Sequence, residues 1–100
     1  MTTIILLTKN SEKYLKRALD FYKTLNFNGK ILVADSSCVE SKKEIQNIIN
    51  LSKNGSFNPF FIDYSFETTF SEKIASVIKY VDTKYTLLAS VDDFFSVETI

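Results

Sequence analysis

The hydrophobic residues of the chain fall into short continuous runs, separated by longer stretches in which apolar positions recur at helical spacing. Four continuous runs predict β-strands at residues 3–7, 30–34, 60–64 and 85–91. Three amphipathic stretches predict α-helices at residues 12–25, 41–51 and 71–81. Polar turn signals separate these elements, among them Asn28-Gly29.

This order of elements, β-α-β-α-β-α-β, is typical of an α/β fold. Each connection contains a helix and is therefore long enough to return the chain to a parallel neighbouring strand. We expect a Rossmann-like three-layer sandwich with a mostly parallel four-stranded sheet. The first and third helices are expected to bury ten positions: Tyr14, Leu15, Ala18, Leu19, Tyr22, Leu25, Ile74, Val77, Ile78 and Val81. Residues 97–100 resemble the start of a further helix, and one interpretation of Asp92-Asp93 also places the start of a helix near Phe94.

Length and composition narrow the class of protein. The 100 residues correspond to one domain, 1–100, and 45% hydrophobic residues are enough for a buried core. A net charge of zero gives no whole-chain electrostatic reason to expect nucleic acid as a partner. The apolar run near the N-terminus is too short for a membrane span or a signal peptide, and the single Cys38 cannot form an internal disulfide. Both observations favour a cytoplasmic location, which includes a peripheral position at the inner face of the membrane.

The residue types limit the chemistry that the chain can perform. It has no histidine, which excludes Ser-His-Asp and Cys-His catalysis and leaves carboxylates as the ligands for a metal ion. Such ligands favour magnesium, manganese or calcium. With only two glycines there is no GxGxxG or P-loop motif, so phosphate would be held through a metal ion rather than through a glycine-rich backbone.

Polar residues follow three of the four predicted strands. Thr8 follows the first strand, Asp35 with two serines follows the second, and the pair Asp92-Asp93 follows the fourth. Ligands of doubly wound sheets bind beyond the carboxyl ends of the strands, where the strand order reverses. If the first strand lies between the second and the fourth, these residues meet at one edge.

Two adjacent carboxylates there can hold a cation that neutralises a diphosphate, while Asp35 can accept hydrogen bonds from a base or a ribose. The pattern therefore predicts a nucleoside diphosphate site.

The same three segments resemble a known enzyme family. They read TTIILLTKNSEKYLKRALDFY, ILVADSS and TKYTLLASVDDFF, and they are similar to the N-terminal half of glycosyltransferases with the type A fold, nearest to the family 2-type enzymes. The resemblance implies a nucleotide-sugar donor, first of all a UDP-sugar, with Thr8, Asp35 and Asp92 binding the nucleotide. It implies that Asp92 and Asp93 hold manganese or magnesium.

The resemblance also implies which parts of such an enzyme are absent from these residues. The parent activity would be hexosyl transfer to a hydroxyl acceptor such as a glycan, with the catalytic base in a C-terminal half. We therefore expect the domain to be truncated relative to a full-length enzyme, with little or no sugar transfer by these residues alone. Two positions depart from the family pattern: Ser90 stands where a common form has an additional Asp, and Ser11 stands where an Arg is frequent. Each departure removes a polar contact.

Structural roles for these residues stay open. Asp35 and its serines are suited to satisfying turn amides, and Asp92 and Asp93 are suited to the N-terminus of a helix. Lys9 and Lys73 are interpreted as solvated charges. If these residues have only structural roles, the chain would be a non-catalytic α/β module that binds a nucleotide or a protein.

Two further hypotheses concern function and assembly. A phosphoacceptor receiver domain also gathers acidic residues at strand ends, but its acidic pair would follow the first strand, where this chain has Thr8-Lys9-Asn10. That departure disfavours the receiver reading. The exposed edges of a small sheet favour a homodimer that covers them.

Overall fold

The computed structural model of the chain describes residues 2–53, 55, 57–81, 83, 85–90 and 95–99. Within these residues it contains five strands and three α-helices: β1 (Thr2–Thr8), α1 (Glu12–Thr24), β2 (Lys30–Asp35), α2 (Val39–Ser52), β3 (Phe60–Asp63), α3 (Phe70–Val77), β4 (Tyr85–Ser90) and β5 (Phe95–Thr99). One turn of 3-10 helix, Ile78–Tyr80, continues α3.

The strands form one sheet in the order β3-β2-β1-β4-β5. The first four are parallel, which confirms the predicted Rossmann-like α/β fold. The fifth is antiparallel to β4 and was not predicted. The helix expected near Phe94 and over residues 97–100 is therefore wrong, because residues 95–99 are a strand. Their sequence, FSVET, alternates apolar and polar positions with a period of two, and the edge of β4 supplies the hydrogen-bonding partner that such a segment needs.

Side chains along β1 alternate between the two faces of the sheet and divide the core into two layers. Ile4 and Leu6 pack with residues of α1 and α2, whereas Ile5 and Leu7 pack with Val77 of α3. Helices α1 and α2 therefore cover one face and α3 covers the other. This is the predicted three-layer arrangement.

Burial along the helices follows the predicted faces only in part. Leu15 and Leu19 of α1 are fully buried, but Tyr14 and Leu25, expected in the core, are 42% and 60% exposed. Ile78, also expected in the core, is 50% exposed. A helix buries only the stripe that meets the sheet, so apolar residues on its flanks stay in solvent unless a further element covers them.

Helix α3 begins with a capping box. The hydroxyl of Thr69 accepts a hydrogen bond from the backbone N–H of Glu72 at 3.2 Å, and the Glu72 carboxylate accepts one from the backbone N–H of Thr69 at 2.9 Å. These bonds satisfy backbone donors that a helix N-terminus otherwise leaves without partners. None of the described helices is both long enough and apolar enough to cross a membrane.

Candidate functional site

The carboxyl ends of three parallel strands bring Thr8, Asp35 and Asp63 into one row. Thr8 is the register partner of Asp35, and Asp35 is the register partner of Asp63. We call these three residues the edge row. Strand β1 lies between β2 and β4, so the strand order reverses between β1 and β4, beside Thr8. This reversal is the position at which doubly wound sheets bind their ligands.

The Asp35 carboxylate has no exposed surface and accepts hydrogen bonds on both oxygens. Its Oδ1 accepts from Thr8 Oγ1 at 2.6 Å and from Ser37 Oγ at 2.5 Å. Its Oδ2 accepts from the backbone N–H of Ser37 at 3.2 Å and from Lys42 Nζ at 3.4 Å. Thr8 and Asp35, both predicted from the sequence as site residues, are thus in direct contact. These four hydrogen bonds offset the free-energy cost of burying the carboxylate.

Lys42 of α2 lies between the two carboxylates of the edge row. Its ammonium group donates to Asp63 Oδ1 at 2.5 Å and to the backbone carbonyl of Tyr64 at 2.6 Å, in addition to the longer contact with Asp35. Two carboxylates on directly opposite strand positions would repel each other, and the ammonium balances that repulsion. Neither Lys42 nor Asp63 was predicted as a site residue, because their meeting depends on the packing of α2 beside β3.

Lys73 of α3 approaches the edge row from the opposite face of the sheet. It is 4% exposed, and its Nζ donates to the backbone carbonyl of Thr8 at 3.1 Å. Its interpretation as a solvated charge is therefore wrong, because docking of α3 on the sheet carries this side chain inward. Lys9 is exposed, as expected, and its Nζ lies 4.3 Å from the centre of the Phe66 ring.

Hydrogen bonds join the loops that follow β1 and β2. The backbone N–H of Asn10 donates to Ser37 Oγ at 2.8 Å, and Asn10 Oδ1 accepts from the backbone N–H of Cys38 at 3.0 Å. Asn10 has a φ of 52°, a left-handed conformation that asparagine tolerates better than most residues. The hydroxyl of Ser36 is buried and has no hydrogen-bond partner within the described part of the chain.

The thiol of Cys38 lies at the N-terminus of α2. Hydrogen bonds from the backbone and from the hydroxyl of Ser41 lower the pKa of the Cys38 thiol from its ordinary value. Both donors stabilise the thiolate form more than the thiol.

An ammonium group lies between the two carboxylates of the edge row. Asp35 and Asp63 both contact the Lys42 ammonium, which occupies the position between them that a cation would take. Within the described ranges, no three Asp, Glu, Cys or His side chains are grouped so as to hold a metal ion. The predicted metal ligands, Asp92 and Asp93, lie outside the described residues. The manganese or magnesium site therefore stays a prediction.

Comparison of the chain with protein-family models, with curated proteins and with solved structures finds no match. The resemblance of its three segments to family 2-type glycosyltransferases therefore stays a prediction.

Proposed function

We propose that the chain binds a nucleotide-sugar donor at the carboxyl edge of its sheet, as the donor-binding part of a glycosyltransferase, with a UDP-sugar as the first candidate. The observation that carries the proposal is the reversal of strand order between β1 and β4, with Thr8 and Lys73 beside it. Open α/β sheets bind ligands at this position because the loops on either side of the reversal diverge and leave room between them.

The charges around the reversal support a diphosphate as part of the ligand. The Lys73 ammonium is almost entirely buried, and charges interact more strongly where water is excluded. A manganese or magnesium ion held by Asp92 and Asp93 would add positive charge beside a diphosphate leaving group. Thr8 and Asp35 lie on neighbouring strands at the same edge, where a ribose or a base would extend.

A titration with UDP, with and without manganese, tests this proposal. Binding is followed by calorimetry and by the backbone amide NMR signals around Thr8 and Asp35. We expect these signals to shift on addition of UDP, and binding to weaken about tenfold or more without manganese or in Asp92→Asn and Asp93→Asn. The matched control is Asp20→Asn, because Asp20 is an exposed carboxylate on α1 that forms an i,i+4 ion pair with Lys16.

Two results would contradict the proposal. If saturating UDP and manganese leave the amide signals of Thr8 and Asp35 unchanged, the edge of the sheet is not a nucleotide site. If Asp20→Asn weakens binding as much as Asp92→Asn does, the effect is one of overall charge and not of a specific metal contact.

A non-catalytic module is the second candidate, and the hydrogen bonding of Asp35 favours it. Both carboxylate oxygens already have donors within the chain, which is what a purely structural aspartate requires. Comparison of the affinities for UDP-glucose and UDP at one manganese concentration separates the two candidates. A nucleotide-sugar donor site should bind UDP-glucose at least as tightly as UDP because it also contacts the sugar, whereas a module that binds only a nucleotide or a protein should not.

The proposal also includes a cytoplasmic location and a homodimer. A lone cysteine fits a reducing compartment. Strand β3 is an edge of the described sheet and exposes 56% of Phe60, so pairing of two copies along β3 would cover it. Sedimentation of the wild type against Phe60→Lys measures this assembly: we expect a dimer for the wild type and a monomer for the variant.

A further inference from the structure

Helix α1 carries a row of exposed apolar side chains along one flank. Tyr14, Phe21 and Leu25 are 42%, 51% and 60% exposed. They are spaced by seven and four residues, and positions at this spacing lie on the same side of a helix. We call these three residues the outer stripe. Single exposed apolar residues are common on protein surfaces, but a row of three along one helix is a candidate contact surface.

The outer stripe lies on the side of α1 that faces away from α2. On the α1 side, the groove between the two helices is lined by Lys16, Leu19, Asp20 and Lys23. At 3.6 residues per turn these positions lie about 180° around the helix from the outer stripe. Helix α3 packs on the other face of the sheet. The described helices therefore leave this flank of α1 uncovered.

Basic side chains border the outer stripe. Lys13 is exposed, and the Arg17 guanidinium lies 5.8 Å from the centre of the Tyr14 ring. Residues 12–24 include four basic and two acidic side chains. Of the acidic ones, Asp20 pairs with a lysine of the same helix and Glu12 has one carboxylate oxygen buried. The net charge of the chain is zero, so α1 is a positive region on a neutral protein.

An apolar row beside positive charge fits the surface of an anionic membrane. Helices that lie in a membrane interface bury aromatic and leucine side chains below the headgroups, while lysine and arginine contact the anionic headgroups. A second copy of the chain fits less well, because two α1 helices that faced each other would bring like charges together. The homodimer proposed through β3 leaves the outer stripe uncovered, since β3 lies beside α2.

We propose that the outer stripe and its basic border dock the protein on an anionic lipid surface, with α1 lying flat in the headgroup region. Phe21 and Leu25 enter the apolar boundary, and Lys13 and Arg17 contact the anionic groups of the lipids. A contact made by so few apolar side chains is weak and reversible, and it strengthens with the anionic lipid content. This inference goes beyond the proposed function and does not depend on nucleotide binding.

Sedimentation with sucrose-loaded vesicles tests the proposal. The protein is mixed with vesicles of phosphatidylcholine alone, or with vesicles in which about one third of the lipid is phosphatidylglycerol. We expect the wild type to partition about tenfold or more in favour of the anionic vesicles at low salt. Most of this preference should disappear at about 1 M salt, where the Debye length falls to about 3 Å.

Two variants separate the apolar and the electrostatic parts of the contact. Leu25→Ser removes apolar area that enters the lipid, and Lys13→Gln removes one contact with the headgroups. Each should weaken partitioning to anionic vesicles about fivefold. The matched controls are on α2: Leu51→Ser changes a leucine that is 75% exposed, and Lys43→Gln changes an exposed lysine. Both controls should stay within about twofold of the wild type. Circular dichroism and melting temperature check the fold of each variant.

Three results would overturn the proposal. If the wild type does not sediment with anionic vesicles at low salt, the outer stripe does not bind lipid, and an acidic protein becomes the better occupant. Equal partitioning to both kinds of vesicle would remove the role of the basic border. If Leu51→Ser and Lys43→Gln weaken partitioning as much as their counterparts on α1, the contact is not made by this helix. Vesicle binding without any binding of UDP would support this inference while the proposed function fails.

Discussion

Replacing Thr8 with valine tests the central hydrogen bond of the edge row. Valine keeps the branched shape but removes the hydroxyl that donates to Asp35 Oδ1 at 2.6 Å. Thr8 has no exposed surface, so water cannot take the place of the hydroxyl without rearrangement. A hydrogen bond to a charged group contributes about 1.5–3 kcal/mol. Burying valine in place of a hydroxyl offsets roughly 1 kcal/mol of this. We expect the free energy of unfolding to fall by about 0.5–2 kcal/mol.

Urea unfolding followed by circular dichroism measures this change. With an m-value of about 2 kcal/mol/M, the midpoint of unfolding should move down by roughly 0.25–1 M. Thr24→Val is the matched control, because the Thr24 hydroxyl donates to the Asp20 carbonyl at 2.8 Å on the exposed part of α1. It should change the stability by less than about 0.5 kcal/mol. A midpoint for Thr8→Val that equals the control's would refute the reasoning, since Ser37 alone would then satisfy Asp35 Oδ1.

Two further predictions concern the termini of helices. Hydrogen bonds from the backbone and hydroxyl of Thr69 lower the pKa of Glu72. The ionised carboxylate therefore stabilises the fold at pH values above its pKa in the unfolded chain. This contribution is lost as the pH falls through the pKa of Glu72 in the folded protein. In melting curves recorded from neutral to acid pH, Glu72→Gln should therefore lose less stability than the wild type; parallel curves would contradict this. Ser41→Ala should raise the pKa of the Cys38 thiol, because it removes one of the donors that stabilise the thiolate. Alkylation by iodoacetamide at neutral pH should then be slower, and an unchanged pH–rate profile would show that the hydroxyl has no effect.

The parts of the fold that were predictable are those encoded by local periodicity. The apolar runs of β1 and β2 and the helical spacing of Leu15 and Leu19 depend only on the geometry of the backbone, so the chain order of strands and helices can be read without a structure. The closeness of Thr8 and Asp35 was predictable for a related reason, since the carboxyl ends of neighbouring parallel strands lie at one edge. Strand β5 was missed because a five-residue segment becomes a strand only when an edge such as that of β4 pairs with it.

What the sequence determined by itself was the α/β class, the alternation of its elements and the edge at which polar residues collect. Which charges meet at that edge was decided by tertiary structure alone. The register of β2 with β3 places Asp63 beside Asp35, and the packing of α2 and α3 on opposite faces brings Lys42 and Lys73 to the same edge. Hydrophobic periodicity is a property of neighbouring positions in the chain. The ion pair between Lys42 and Asp63 joins residues 21 positions apart in the chain, so it can form only after the sheet has assembled and its register is set.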